Sequence, residues 1–334
     1  MRRVDFVVVG QGLAGTAVAR RLAARGRSVL VIDREGPSSS RVAAGLVTPV
    51  TGKRLAKSWR WDELYPAAVA YYREFEREAG EMVFHQRPAL RLFTTEQERD
   101  EFDRRAAGIL AGLVRPAEDI PDAFAAPLGG FEMPHAARLD VPRYLDLARD
   151  QFRRAGAYLA ADLDPAGDVR PVPDGVRLPR LDVEARGLVF CRGFAVDSDP
   201  WFGHVRFNAA KGEVLTLRVP GLAEGRVVHR GAWVAPAGGV AFRCGSTYDR
   251  ERLDAEPTAA GRAEIESRLR EFLRLPFEVT DHRAAVRPVI DAGLPVLARH
   301  PEHPQLAYLN GLGSKGSLLA PFFAGELAAS LAGA

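Results

Sequence analysis

Apolar positions along this chain come in two kinds of spacing. Near both ends they form short unbroken runs, and between them they alternate or recur at helical intervals. Residues 4–9 (VDFVVV) are a β-branched run, and the turn Gly10-Gln11-Gly12-Leu13-Ala14-Gly15 follows at once. The alanine-rich stretch 16–25 predicts a helix, and 28–32 predicts a second buried strand that ends on Asp33. Leu64, Val69, Tyr72 and Phe75 share one helical face, which predicts a helix over 62–79. Alternation in 88–95 predicts a strand, and 96–111 is helical again. The proline- and alanine-rich residues 116–130 predict a loop. Asp140 is suited to cap a helix that runs through Leu145, Leu147 and Phe152 to Gly156. A strand is expected over 187–191. Three further strand-like runs, 212–219, 227–235 and 239–246, are separated by Pro220-Gly221 and Ala237-Gly238-Gly239, which predicts an antiparallel sheet. An amphipathic helix is expected over 258–275. The chain closes on a strand at 307–310, the turn Gly311-Leu312-Gly313-Ser314-Lys315-Gly316, and a helix through Ala334.

The first 33 residues carry the clearest chemistry. Gly10 permits a tight turn, Gly12 lets a pyrophosphate approach the backbone, and Gly15 lets helix and strand pack closely. The free N–H groups and positive dipole end of the helix then hold phosphate. Asp33, 18 residues past Gly15, can accept hydrogen bonds from both hydroxyls of an adenosine ribose. Its charge would repel a 2′-phosphate, so NADP is disfavoured and NAD or FAD remains. A strand, glycine turn and helix at each end imply that the C-terminal segment returns to the nucleotide domain. The expected class is α/β (α+β overall), with a Rossmann-like domain and a second, antiparallel-sheet domain.

Composition narrows the function classes. The 334 residues are 47% hydrophobic and 27% charged, the balance of a soluble globular protein with a substantial core. No apolar run approaches the roughly 20 residues of a membrane span, so no membrane partner is expected. The chain enters a core strand within three residues of its start, so no signal peptide is expected. The two cysteines, Cys191 and Cys244, suit a reducing cytosol, are expected as buried thiols, and suggest a cytoplasmic location. His300 and His303 lack further nearby ligands, so no metal is expected. The net charge of +3 permits a nucleic-acid partner without demanding one. The basic cluster Lys53, Arg54, Lys57 and Arg60 is expected to be a solvated helix face.

Four separated motifs spanning essentially the whole chain resemble the FAD-dependent D-amino-acid oxidase superfamily, the group that includes glycine oxidase and sarcosine oxidase. They are Gly10 to Gly15 with Asp33; Ser40-Arg41-Val42-Ala43-Ala44-Gly45; Val286-Arg287-Pro288 followed by Asp291-Ala292-Gly293-Leu294-Pro295; and Gly311 to Gly316 with Ala320-Pro321. Two stretches, Gly311 to Gly316 and Gly245-Ser246-Thr247-Tyr248-Asp249, resemble the flavin domain of the bifunctional enzyme that matures 5-methylaminomethyl-2-thiouridine in tRNA. The 334 residues hold no counterpart of its methyltransferase domain, so a relative with another amine substrate is expected, and tRNA is not the favoured partner.

The resemblance implies an FAD-binding domain from 1–82, 138–200 and 284–334, and a substrate domain from 83–137 and 201–283. Cofactor contacts are implied for Gly10, Gly12, Leu13, Ala14, Gly15, Asp33 and Arg34, for Arg41, Ala43, Ala44 and Gly45, for Gly193, and for Gly311, Gly313, Ser314, Lys315, Gly316 and Ser317. The FAD is expected to be non-covalent, because neither cysteine follows shortly after the Arg287-Pro288 motif. The implied reaction oxidises the C–N bond of an amino acid or secondary amine by hydride transfer to flavin N5, giving an imine that water hydrolyses. Oxygen or another acceptor would reoxidise the flavin. Arg287 is implied to bind the substrate carboxylate through a bidentate fork. Lys315 is expected to stabilise an anionic reduced flavin, and Tyr248 to cap the substrate pocket. Lys53 is expected to be exposed. Two other readings stand beside this one: a wobble-uridine-modifying tRNA oxidase, and a low-turnover flavin-binding subunit of a larger oxidase.

Overall fold

The computed structural model describes residues 1–194, 199–291 and 293–333. Ala292 of the Asp291 to Pro295 motif and the final Ala334 therefore lie outside the described residues.

The fold is mixed α/β, built on two large sheets. The first has a parallel core in the order Tyr158–Ala160, Val29–Asp33, Arg2–Val9, Val183–Phe190, Leu306–Asn310. Val7, Val8, Leu30, Val31, Leu188 and Val189 are completely buried, as strands covered on both faces must be. Helix Leu13–Ala23 covers one face together with Trp61–Ala79, Val141–Arg154 and Gly316–Ala332, and their apolar sides merge into a single core. Asp140 caps its helix, accepting the Arg143 N–H at 3.2 Å. The first helix begins at Leu13, three residues earlier than its composition predicts. Gly15 is inside it, and a Cβ there would fall 1.8 Å from the Gly10 carbonyl oxygen. Only glycine lets the helix start that close to the strand.

The second sheet runs in the order Glu278–Arg287, Ala210–Arg218, Ala241–Gly245, Ala232–Gly238, Val227–Arg230, Ala89–Leu92, Gly130–Met133, Arg115–Pro116. Every neighbouring pair is antiparallel except Ala89–Leu92 with Val227–Arg230, which is parallel. The run expected as one strand over 227–235 is two, because Gly231 takes φ +67° and turns the chain back. The helix expected over 96–111 stops at Ala106. Beyond Phe102 only Leu110 is buried, and Gly108 and Gly112 break the pattern. The strand Glu278–Arg287 crosses position 284 unbroken, so its last residues extend the second sheet.

One face of this sheet carries Leu90, Val228, Val234, Phe242, Leu215 and Leu217 against helix Ala259–Arg270. The alternate residues of the same strands face the other way, as the two-residue period requires. They form a wall of the cavity described below.

Candidate active site

A cavity of about 820 Å³ runs from the C-terminal ends of the parallel strands to the free face of the second sheet. Ligand sites of open α/β sheets form at that end of the strands. Gly10, Gly12, Leu13, Ala14, Asp33 and Arg34 line one end. Gly12 begins helix Leu13–Ala23 without a side-chain cap, leaving first-turn N–H groups for a ligand. The Ser40 hydroxyl accepts the Leu13 N–H at 3.1 Å. Asp33 is aimed by the backbone: its carboxylate oxygens accept the Gln11 N–H at 2.7 Å and the Glu35 N–H at 2.8 Å. Each oxygen keeps a lone pair for a hydroxyl.

Ala43, Ala44 and Gly45 line the middle of the cavity. Gly45 has φ +76°, and a Cβ would lie 1.9 Å from the Leu139 carbonyl oxygen. Two half-buried arginines grip this loop from behind. Arg243 donates to the carbonyls of Ala43 at 2.7 Å and Val42 at 2.5 Å, and Arg138 donates to that of Ala44 at 3.2 Å. Burial lowers the pKa of both guanidinium groups, and the neighbouring Arg138 helps push Arg243 down to about 10. Neither arginine stands out in the sequence; strand register alone brings them here. Arg41 points away, in an ion pair with Asp146 at 2.7 Å, and does not line the cavity.

Gly193, just past the strand Val183–Phe190, and Gly313, Ser314, Lys315, Gly316 and Ser317 of the C-terminal segment close the cavity. Gly311 sits behind the wall with φ +82°, and a Cβ there would fall 2.3 Å from Ile290 Cδ1, so only glycine fits. Asn310, absent from the sequence reading, lines the cavity and donates to the Gly193 carbonyl at 2.8 Å. The Lys315 ammonium stands at the N-terminus of helix Gly316–Ala332, 3.4 Å from the hydroxyls of Thr51 and Ser58. Burial lowers its pKa. Lys53 is exposed but contributes to the cavity wall. Cys191 and Cys244 are free and buried, and burial raises both thiols, that of Cys244 to about 12.

At the opposite edge, Arg287 reaches into the cavity from the last strand of the second sheet. Its guanidinium donates to Ser246 Oγ at 2.7 Å, the Thr247 carbonyl at 3.1 Å and the Lys211 carbonyl at 3.3 Å. The Tyr248 ring lies 5.2 Å from the Arg287 guanidinium carbon. Tyr248 is 52% exposed and stacks outside the cavity, so it flanks the arginine instead of lidding the pocket. Gly212 makes the room, since a Cβ there would stand 2.0 Å from Arg287 Nη2. All three acceptors are neutral, and among the described residues no carboxylate pairs with Arg287. Its pKa is lowered by burial, against a weaker upward pull from Tyr248.

The sequence model described as FAD dependent oxidoreductase matches residues 5–331. The chain belongs to this family. It is 30% identical to the tRNA 5-methylaminomethyl-2-thiouridine biosynthesis bifunctional protein MnmC of Maricaulis maris, over 98% of this chain and 52% of that protein. It is 24% identical to the glycine oxidase of Bacillus licheniformis, over 99% of this chain and 93% of that protein. The chain spans about half the length of the MnmC relatives it matches. The fold matches crystal structures of glycine oxidase from Geobacillus kaustophilus (TM-score 0.84, 22% identity, 100% of this chain and 95% of that one) and iminodiacetate oxidase from Chelativorans (TM-score 0.76, 22% identity, 98% and 95%).

This FAD-dependent oxidoreductase offers residues that fit its cofactor. The helix start, where Gly12 supplies no side-chain cap and Ser40 takes only the Leu13 N–H, suits a pyrophosphate, the backbone-aimed Asp33 suits a ribose, and Ala43, Ala44 and Gly45 keep large side chains out of the middle of the cavity. Among the described residues no group of three or more side chains is arranged to hold a metal ion, and no helix is long and apolar enough to cross a membrane.

Proposed function

We propose that this protein oxidises the C–N bond of an amino acid or N-substituted amino acid, with Arg287 holding the substrate carboxylate. The observation that carries this reading is the uncompensated Arg287 guanidinium, half-buried in the cavity wall on neutral acceptors alone. A buried cation is costly until an anion meets it. When bound, FAD supplies the two-electron acceptor for the Cα–H hydride. The protein's share is geometric and electrostatic. Arg287 fixes the carboxylate, and with it the direction of the Cα–H bond. Lys315 and the N–H groups of the adjoining helix start put positive charge where reduction adds negative charge. Water then hydrolyses the released imine.

An anaerobic titration of the flavin's visible band with glycine, sarcosine, proline and D-amino acids tests the reading. Bleaching by any of them supports it, and a band that none of them bleaches counts against a small amino-acid substrate. A second reading, oxidation of a modified base in tRNA, draws on the names of the MnmC relatives and on exposed Lys53 and Arg54 near the cavity. The same titration with undermodified tRNA addresses it.

A further inference from the structure

The cavity does not end at the flavin loop and Arg287. Its wall continues across the second sheet to Arg91, at the far side from Arg287. Arg91 lies opposite His229, His229 opposite Trp233, Trp233 opposite Gly245, and Gly245 opposite Val214, which neighbours the Arg287 strand. Five inter-strand steps separate the two arginine-bearing strands, about 24 Å across a flat sheet. An α-amino acid seated on Arg287 is too short to reach this end of the cavity.

Arg91 is only 7% exposed, and its donors are unevenly used. Nε donates to Glu98 Oε1 at 2.9 Å, and Nη2 donates to the same oxygen and to the Gly52 carbonyl at 2.9 Å. Glu98 Oε2 is filled by the Thr94 N–H at 2.9 Å and the Thr94 hydroxyl at 2.7 Å. Nη1 has no acceptor among the described hydrogen bonds, although the residue lines the cavity. Beside it, burial and the Arg91 charge hold His229 down to about 4, so this imidazole is neutral at neutral pH. The two ends of the cavity therefore differ in charge. Arg287 is a cation without a counter-ion, whereas Arg91 is cancelled by Glu98 and offers hydrogen-bond donors without net charge.

We infer that Arg91 Nη1 is a specificity-determining subsite for an uncharged carbonyl-type oxygen at the distal end of an elongated N-substituted amino acid. The inference rests on the amine-oxidising reading above. A second carboxylate would meet a site already neutralised by Glu98, and an alkyl end would leave the Nη1 donors unpaired and dry.

The test is anaerobic flavin reduction by N-(ω-carbamoylalkyl)glycines of graded length, each matched with the ω-carboxyalkyl and the terminally branched alkyl analogue. At one arm length the carbamoyl end should exceed the alkyl end in kcat/KM by roughly 10- to 100-fold, the value of a hydrogen bond to a charged group. The carboxyl end should show no such gain. In the charge-neutral double variant Arg91→Met/Glu98→Gln, checked for wild-type flavin content, the carbamoyl-to-alkyl ratio should fall to about one. The wild-type comparison stands on its own if the variant fails to fold. Equal rates for carbamoyl and alkyl ends at every length, with sarcosine still bleaching the flavin, overturn the subsite and leave the amine reading intact. Preference for the carboxyl end overturns the uncharged assignment. A flavin that no glycine derivative bleaches overturns both.

Discussion

Replacing Arg287 with alanine separates its two roles, holding substrate and holding the fold. In the folded protein its three acceptors, Ser246 Oγ and the carbonyls of Thr247 and Lys211, would lose their donor. Each orphaned acceptor costs about 1–3 kcal/mol when dry, but the side chain's departure opens the cavity to water and removes a cation that has no counter-ion. These effects oppose one another, so the melting temperature of the substrate-free protein should move little. With substrate bound the balance changes. Truncating one member of a hydrogen-bonded charge pair costs about 2–5 kcal/mol, and half-burial argues for the lower part of that range. At 1.4 kcal/mol per tenfold this is roughly 30- to 300-fold in kcat/KM. The assay is anaerobic stopped-flow reduction of the flavin by a carboxylate-bearing amine and by its carboxamide. The wild-type protein should prefer the carboxylate, and the variant should be indifferent. Arg287→Lys should recover only part of the loss, because an ammonium lacks the planar fork. Reduction of Arg287→Ala by the carboxylate substrate at the wild-type rate, with flavin content unchanged, would show that the guanidinium does not bind substrate.

Other changes probe the remaining parts. Gly12→Val should yield a colourless protein, since even a Cβ there stands 2.9 Å from Ser40 Oγ and would block the phosphate's approach; full flavin content on purification would contradict the assignment. Arg243→Met strips the donors from the Val42 and Ala43 carbonyls and should weaken flavin retention with a stability loss of about 1–3 kcal/mol, read by dilution and thermal melting. His229 has a folded pKa of about 4, below its unfolded value of about 6.5. Its contribution is therefore complete above pH 6.5 and lost as pH falls toward 4, by up to about 1.4 kcal/mol per pH unit. His229→Gln should flatten that part of the stability-against-pH curve, and an unchanged slope would count against a neutral imidazole.

The two halves of the site were unequally legible in the amino-acid sequence. Gly10, Gly12, Gly15 and Asp33 all fall within residues 10–33, so spacing alone exposes them. Arg287 and Lys315 became visible through motifs around them. Arg91, Arg138, Arg243 and His229 have no such frame. Each is a single polar residue in a strand, and what it does depends on which strand lies beside it. His229 meets Arg91 only because residues 227–230 pair with 89–92 across 138 positions. Tyr248 shows the converse limit: its motif was legible, but the direction of its ring was not, and the ring stacks on Arg287 from outside. Arg41 similarly sits in a recognisable loop yet spends its charge on Asp146.

The parallel pairing of Ala89–Leu92 with Val227–Arg230 also bears on how the molecule comes together. The second sheet is completed by Glu278–Arg287, and the first sheet receives Leu306–Asn310 after that. The chain thus passes back and forth between the two sheets, and neither sheet can finish before most of the chain has emerged. Assembly of this kind is dominated by distant contacts and is expected to be slow. A nick in a loop that carries the chain from one sheet to the other should leave the fragments paired, so limited proteolysis there would release them only after global unfolding.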